Sequence, residues 1–127
     1  MSISYKIDTE QFLVLVTITG VIQLDDLLEL ISTYPKNNHY QVGMNVLYDY
    51  RQGNLHLTGD DMILLVEHIR KIKGDSSYKI GMVATEDGTF GLGRMYSVYA
   101  EELAATSKIF RDMASCLEWI NSPVQQS

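Results

Sequence analysis

The chain has 127 residues, of which 46% are hydrophobic and 20% are charged, and its formal net charge is −6 at pH 7. These values are typical of one globular domain and exclude a wholly disordered chain. The acidic balance disfavours nonspecific binding to nucleic acid or to anionic lipid, because both attract basic surfaces. The single cysteine, Cys116, excludes an intrachain disulfide and a cysteine metal cluster.

Neither the amino-terminal residues nor the apolar runs indicate a targeting or membrane-spanning segment. The first six residues lack the basic end and the apolar run of a secretion signal. The longest apolar stretch, Phe12 to Val16, is far too short to cross a bilayer. We therefore expect a soluble cytoplasmic protein, with no membrane insertion and no nucleic-acid partner.

Three strands and one helix are predicted for residues 1–49. Residues 3–7 alternate and predict a strand, and the β-branched run 12–19 predicts a second, antiparallel strand that is buried on both faces. The helix is predicted from apolar residues that share one helical face: Leu24, Leu27, Leu28, Ile31 and Tyr34. Pro35 stops this helix. Residues 44–48 predict a third strand that ends at Asp49.

The second predicted helix has the clearest boundaries. Thr58 begins a capping-box pattern with Asp61 at the acidic position, and Gly74 follows the basic end of the helix as a C′ residue. The buried stripe of this helix is predicted to contain Met62, Leu65, Val66, Ile69 and Ile72.

Two strands and two helices are predicted for the rest of the chain. Residues 78–84 predict a strand, and Thr89 is expected to cap a third helix that runs to about Ala105. Residues 108–110 predict a short strand, and Asp112 caps a final helix. The order β-β-α-β-α-β-α-β-α predicts an α/β domain with a mixed sheet of about five strands flanked by four helices. We expect one domain over residues 1–121 and a flexible tail over residues 122–127.

No catalytic or metal-binding motif is visible in the sequence. The three histidines, His39, His56 and His68, lack the spacing of metal ligands, so we expect neither a metal nor a cofactor. Cys116 lies within a predicted helix, which favours a small buried hydrophobic side chain over a nucleophile. The glycine-rich segment 88–93 matches neither nucleotide-binding motif, and close helix–sheet packing is favoured over a phosphate loop.

Polar residues follow the third and fourth predicted strands. Asp49 and Arg51 follow the third strand, and Glu86 follows the fourth. Parallel strands end at the same edge of a sheet, so we expect these side chains and the helix start at Thr58 to form one rim. Arg94, one turn into the third helix, either forms an ion pair with Asp49 or Glu86 or joins Arg51 in binding an anion.

Eight tyrosines are many for a chain of this length. Tyr96 and Tyr99 lie on one face of the third predicted helix. Tyrosine can bury its ring while its hydroxyl remains in contact with solvent, which suits both the edge of a core and an interface. Both interpretations, a core edge and a dimer or partner surface, stay open.

Three pairs of segments together resemble the SpoIIAA-like proteins, a branch of the STAS (anti-sigma-factor antagonist) superfamily. The pairs cover almost the whole chain: 46–51 with 58–61, 79–84 with 90–96, and 109–112 with 116–120. The resemblance implies a mixed sheet flanked by helices and a non-enzymatic domain that binds a partner or a small ligand. It also implies a phosphorylatable serine near the helix after the third strand, but residues 49–61 contain no serine.

Three functions follow, in order of preference. The first is a bacterial regulatory or protein-interaction module, expected to be a homodimer, that binds through Asp49, Arg51, Thr58, Glu86, Arg94 and Tyr96. The second is a small carrier for a lipid or for another apolar or anionic ligand. The third is an enzyme, a hydrolase that uses Asp49 and Glu86 as paired carboxylates.

Overall fold

The computed structural model describes residues 2–123. The elements in chain order are β1 (Ser2–Asp8), β2 (Leu13–Ile22), α1 (Leu24–Thr33), β3 (Asn45–Leu55), α2 (Gly59–Lys73), β4 (Lys79–Val83), α3 (Asp87–Tyr99), β5 (Thr106–Phe110) and α4 (Met113–Asn121). Short 3₁₀ helices, Tyr34–Lys36 and Ala100–Glu102, follow α1 and α3. The predicted order of strands and helices is confirmed. Of the predicted tail, residues 124–127 lie outside the described residues.

The five strands form one mixed sheet in the order β1-β2-β3-β4-β5. The strand β1 pairs with β2 antiparallel, and β2, β3, β4 and β5 are parallel to one another. The hairpin between β1 and β2 contains Phe12 with a φ of 55°, and the backbone oxygen of Phe12 accepts a hydrogen bond from the N–H of Asn45. Consecutive parallel strands joined by right-handed crossovers place α1, α2 and α3 on one face of this sheet.

The sheet has a large core on one face and a small core on the other. Alternate residues of a strand point to opposite faces. Val14, Val16 and Ile18 of β2 belong to the large core, which includes buried residues of α1, α2 and α3. The small core lies under α4 and contains Leu13, Leu47, Val83, Cys116 and Ile120. The prediction that Cys116 is buried is therefore confirmed.

Two glycines allow helices to approach the sheet closely. A Cβ at Gly81 of β4 would lie 2.5 Å from the Sγ of Cys116 in α4, and a Cβ at Gly93 of α3 would lie 2.6 Å from the Cδ1 of Ile109 in β5. The packing interpretation of the glycine-rich segment is thus confirmed for Gly93. It is wrong for Gly91, where a Cβ would meet nothing within 4 Å.

The third strand continues well beyond its predicted end. The register between β2 and β3 shifts between Thr17 and Thr19, because Thr17 pairs with Asp49 whereas Thr19 pairs with Gln52. This β-bulge adds one residue to β3 and lets it continue to Leu55 beside β2. The predicted end at Asp49 is wrong, since the bulge interrupts the alternation of buried and exposed residues on which the prediction relied.

Three helix predictions also differ from the structure. Glu86, rather than Thr89, is the N-cap of α3, and Thr89 is buried in the first turn of the helix. The helix α3 ends at Tyr99, well before Ala105, because a 3₁₀ helix follows. Ile72, in the last turn of α2, is 39% exposed, whereas the other four predicted residues of the stripe are buried.

Candidate functional site

Asp49 and Arg51 lie inside β3 and not after it as predicted, and the bulge brings them together beside the carboxyl end of β4. The Oδ1 of Asp49 accepts hydrogen bonds from the N–H and the Nε of Arg51, each at 3.0 Å, and the guanidinium also donates to Oδ2 at 2.9 Å. Partial burial opposes ionisation of this carboxyl, but the hydrogen bonds from Arg51 outweigh it and lower the pKa of Asp49. The pair is therefore ionised at neutral pH.

The segment after β4 lies beside the bulge, as expected for neighbouring parallel strands. The hydroxyl of Thr85 donates to the backbone oxygen of Arg51 at 3.5 Å. Arg111, at the end of β5, donates to the backbone oxygen of Thr85 at 3.0 Å and pairs with Asp87 at 2.9 Å. The guanidinium of Arg111 also lies 3.9 Å from the centre of the Phe90 ring. The sequence offered no signal for Arg111, because its partners are at least 21 residues away in the chain.

Glu86 follows β4, and its carboxylate binds the first turn of α3. It accepts hydrogen bonds from the backbone N–H groups of Gly88 at 2.9 Å and Thr89 at 3.2 Å, and from the Thr89 hydroxyl at 3.1 Å. The bonds from Thr89 and Gly88 lower the pKa of Glu86. The Thr89 hydroxyl in turn accepts a hydrogen bond from the N–H of Leu55 at 3.3 Å, which joins α3 to the end of β3.

Thr58 has the capping role predicted for it. Its hydroxyl oxygen accepts a hydrogen bond from the N–H of Asp61 at 3.1 Å, and the N–H of Thr58 donates to the Asp61 carboxylate at 2.9 Å. Within residues 2–123, no side-chain hydrogen bond joins Thr58 to Asp49, Arg51 or Glu86. Thr58 is thus built into the start of α2 and not into the charged rim.

Two other predicted site residues lie elsewhere. Arg94 is exposed on α3, and no ion pair joins it to Asp49 or Glu86 in the part of the chain that the structure describes. The ion-pair interpretation of Arg94 is wrong because Arg51 and the start of α3 already occupy those carboxylates. Tyr96 is only 6% exposed and lies in the large core, so it belongs to neither the rim nor the surface.

A small cavity of about 30 Å³ lies between the sheet and the three helices. Its lining is mostly aliphatic and includes the rings of Tyr48, Tyr50 and Tyr96. The Tyr96 hydroxyl is buried without a hydrogen-bond partner among residues 2–123, and the Ser107 hydroxyl lies beside it without the geometry of a hydrogen bond. Burial raises the pKa of Tyr96, so this residue stays a neutral phenol.

The outer sides of α2 and α3 carry apolar side chains that the sequence interpretation missed, apart from Tyr99. Five of them are exposed and together are called the α2–α3 surface: Ile63, Leu64, Met95, Val98 and Tyr99. The helices meet where a Cβ at Gly59 would lie 3.1 Å from the Tyr99 hydroxyl. Ile63 is one turn after Gly59, and Met95 is one turn before Tyr99, so each lies on the side of its own helix that carries this contact.

The rim does not have the arrangement that paired-carboxylate catalysis needs. General acid catalysis requires a carboxyl with a raised pKa. The pKa values of both Asp49 and Glu86 are lowered, and both carboxylates already accept several hydrogen bonds. In the described range 2–123, no three His, Cys, Asp or Glu side chains are grouped so that they could hold a metal ion. None of the helices in this range has the length and hydropathy to cross a membrane.

Comparison with protein-family models and with curated proteins found no match. The structure is similar to the crystal structure of an uncharacterised protein of the DUF3478 family from Shewanella loihica PV-4, which is described as having a SpoIIAA-like fold. The TM-score is 0.59 at 14% sequence identity, and the match covers 94% of this chain and 92% of that chain. The chain therefore has the SpoIIAA-like α/β fold that the resemblance implied, and at this identity the similarity concerns the fold alone.

Proposed function

Starting from the SpoIIAA-like fold and its exposed apolar helices, we propose that the chain is a non-enzymatic protein-interaction module that binds its partner through the α2–α3 surface. The observation that carries this proposal is the exposure of apolar side chains on two adjoining helices, with Val98 at 65%. Single exposed apolar residues are normal on a protein surface, whereas contiguous groups mark interaction sites. Tyr99 and Met95 are also residue types enriched at interfaces.

The charged side chains at the rim support this choice, because they form ion pairs with one another. Asp49 binds Arg51, and Asp87 binds Arg111. The first pair lies within β3, and the second joins the start of α3 to the residue after β5. Together they leave few unpaired charges at the rim for an anionic ligand. Arg94 is different: it is exposed, lies next to Met95 and is one turn before Val98. We propose that Arg94 borders the interface and contacts an acidic group of the partner.

A second copy of the chain is the first partner to test. We expect sedimentation velocity over a range of concentrations to show a dimer of the wild-type protein. Val98→Asp places a charge in the α2–α3 surface and is expected to weaken association by about tenfold or more, because a desolvated charge is costly at an interface. Val42→Asp is the matched control, since Val42 is 77% exposed in the loop before β3 and is not part of the α2–α3 surface.

If the partner is a different protein, the same variants can be tested by affinity capture. If the wild-type chain is a monomer, affinity capture from extracts of the source organism should retain a partner that Val98→Asp loses and Val42→Asp keeps. Identical oligomeric state and identical captured proteins for all three chains would contradict the proposed surface.

The apolar cavity favours a second candidate function, a carrier for a small apolar ligand. Its lining combines aliphatic side chains with Tyr96, whose hydroxyl has no hydrogen-bond partner within residues 2–123 and would bind a polar end group of the ligand. A cavity of about 150 Å³ holds benzene, whereas this one has about 30 Å³. A carrier function therefore requires α2 or α3 to move away from the sheet. Native mass spectrometry of freshly purified protein would then show a bound apolar molecule, and protein at its bare mass throughout would exclude this candidate.

A further inference from the structure

Lys73, the last residue of α2, lies in a cage of tyrosines at the edge of the sheet opposite the rim. Its Nζ donates a hydrogen bond to the Tyr34 hydroxyl at 2.6 Å. The same Nζ lies 4.2 Å from the ring centre of Tyr78, 4.7 Å from that of Tyr34 and 5.2 Å from that of Tyr40. These three tyrosines come from the end of α1, the loop before β3 and the residue before β4, and they are called the tyrosine cage.

The amine of Lys73 has no carboxylate partner within residues 2–123. The ion pairs of this range involve Arg51, Arg70 and Arg111, and none includes Lys73. Burial without a counter-charge disfavours the ammonium form and lowers the pKa of Lys73 to about 8. The faces of the rings and the Tyr34 oxygen attract the ammonium form and limit this shift.

The neighbouring lysines show what is particular to Lys73. The Nζ of Lys79 donates to the backbone oxygens of Trp119 at 2.8 Å and Ser122 at 2.6 Å, at the end of α4. Lys71 is exposed on the same helix, two residues before Lys73. Only a neutral amine has the lone pair that attacks an electrophile, so a desolvated lysine is the more reactive nucleophile.

We propose that Lys73 is an acylation site whose Nζ accepts the acyl group of a small acyl phosphate. The lone pair of the neutral amine forms a bond to the acyl carbon, and the bond from that carbon to the phosphate oxygen breaks, with its electron pair leaving on phosphate. The extra proton on nitrogen passes to the phosphate or to water. The products are an amide at Lys73 and inorganic phosphate.

Tyr34 is the positioning residue in this step. Burial raises the pKa of Tyr34, so its hydroxyl stays protonated and does not serve as the base. Its hydrogen bond instead holds the Nζ between the rings. Acylation removes the positive charge from the tyrosine cage and therefore weakens the contacts that join α2 to the end of α1 and to β4.

The test uses the full-length wild-type protein and acetyl phosphate as the probe, in amounts that modify each chain less than once. Peptide mass spectrometry measures the acetylation rates of Lys73 and Lys71 at pH 7, 8 and 9. At pH 8 an ordinary exposed lysine is neutral in only about 0.4% of molecules. We expect Lys73 to react several-fold faster than Lys71 at pH 7 and 8, with a smaller ratio at pH 9.

Two controls separate reactivity from accessibility. In urea-unfolded protein the two lysines should react at similar rates, because the tyrosine cage is then absent. Tyr34→Phe removes the positioning hydrogen bond and should lower the rate at Lys73 while leaving Lys71 unchanged. A rate at Lys73 equal to or below that at Lys71 in the folded protein at pH 8 would overturn the proposal, since it would show that the tyrosine cage shields the amine.

Discussion

At the scale of single residues, three carboxylates accept hydrogen bonds from backbone N–H groups. Asp49 binds the N–H of Arg51, Glu86 binds the first turn of α3, and Asp112 binds the N–H of Ser115 in α4. The hydrogen bonds lower the pKa values of all three carboxyls. Such groups stabilise the folded chain through local hydrogen bonds at strand bulges and helix starts.

Thr58 provides a direct measure of one such local contact. Thr58→Ala removes the hydroxyl that accepts the Asp61 N–H and is expected to lower the free energy of unfolding by about 1 kcal/mol. Thr58→Ser keeps the acceptor and should remain within about 0.5 kcal/mol of the wild type. Urea denaturation measures both variants. Equal losses in the two variants would show that the methyl group, and not the cap, is responsible.

The lowered pKa of Lys73 predicts that the free energy of unfolding rises with pH. Its pKa is lowered to about 8 in the folded chain, whereas an unfolded lysine has a pKa of about 10.4. The unfolded state therefore binds more protons between these values, and stability increases as pH rises through this window. The facing tyrosines, Tyr34, Tyr40 and Tyr78, have raised pKa values and reduce stability only above about pH 10.

The expected rise is about 1 kcal/mol between pH 7.5 and 9.5, after allowance for partial exposure. Chemical denaturation at a series of pH values measures it. Lys73→Met removes the titrating group and should flatten the profile in this window, whereas Lys71→Met, on the exposed side of the same helix, should keep the wild-type slope. A flat wild-type profile would mean that the tyrosine cage offsets the burial of the amine.

Close packing of single residues controls how the elements fit together. The strand β4 can lie directly under α4 because Gly81 has no side chain, and α3 can approach β5 because of Gly93. The bulge in β3 similarly determines where the charged rim forms, since it turns Arg51 toward Asp49. These features act on whole helices and strands, although each depends on one position.

A matched pair of glycine substitutions tests the packing of α4. A Cβ at Gly81 would lie 2.5 Å from the Sγ of Cys116 and 2.9 Å from the Cδ1 of Ile120. Gly81→Ala is therefore expected to cost about 1–3 kcal/mol. Gly91→Ala adds a methyl group to an open helical position and should stabilise the chain by about 0.4–1 kcal/mol. Thermal unfolding measures both, and partial rescue of Gly81→Ala by Cys116→Ala would identify the clash.

At the scale of the whole molecule, residues 2–123 place three α-helices on one face of the sheet and α4 on the other. This asymmetry follows from four parallel strands in sequential order, because each right-handed crossover returns on the same side. The α2–α3 surface lies on the three-helix side, where the helices pack on the sheet with one face and expose apolar residues on the other. The proposed interface is thus a property of the assembled helix layer.

The sequence by itself determined the order of strands and helices, the caps at Thr58 and Asp112, and the burial of Cys116. These features depend on hydrophobic periodicity and on contacts within one turn, which can be recognised from neighbouring residues. The rim could be predicted in part, because the carboxyl ends of parallel strands must meet at one edge. Glu86 does follow β4, whereas Asp49 and Arg51 lie inside β3, beside the end of β4.

Only the tertiary structure decided which of these groups contact one another. It placed an extra residue in β3, paired Arg51 with Asp49, brought Arg111 to Asp87 and left Arg94 without an ion pair in the described range. It also assembled the tyrosine cage around Lys73 from residues 5 to 39 positions away in the chain. Long-range contacts depend on how complete elements pack, and no local pattern carries that information.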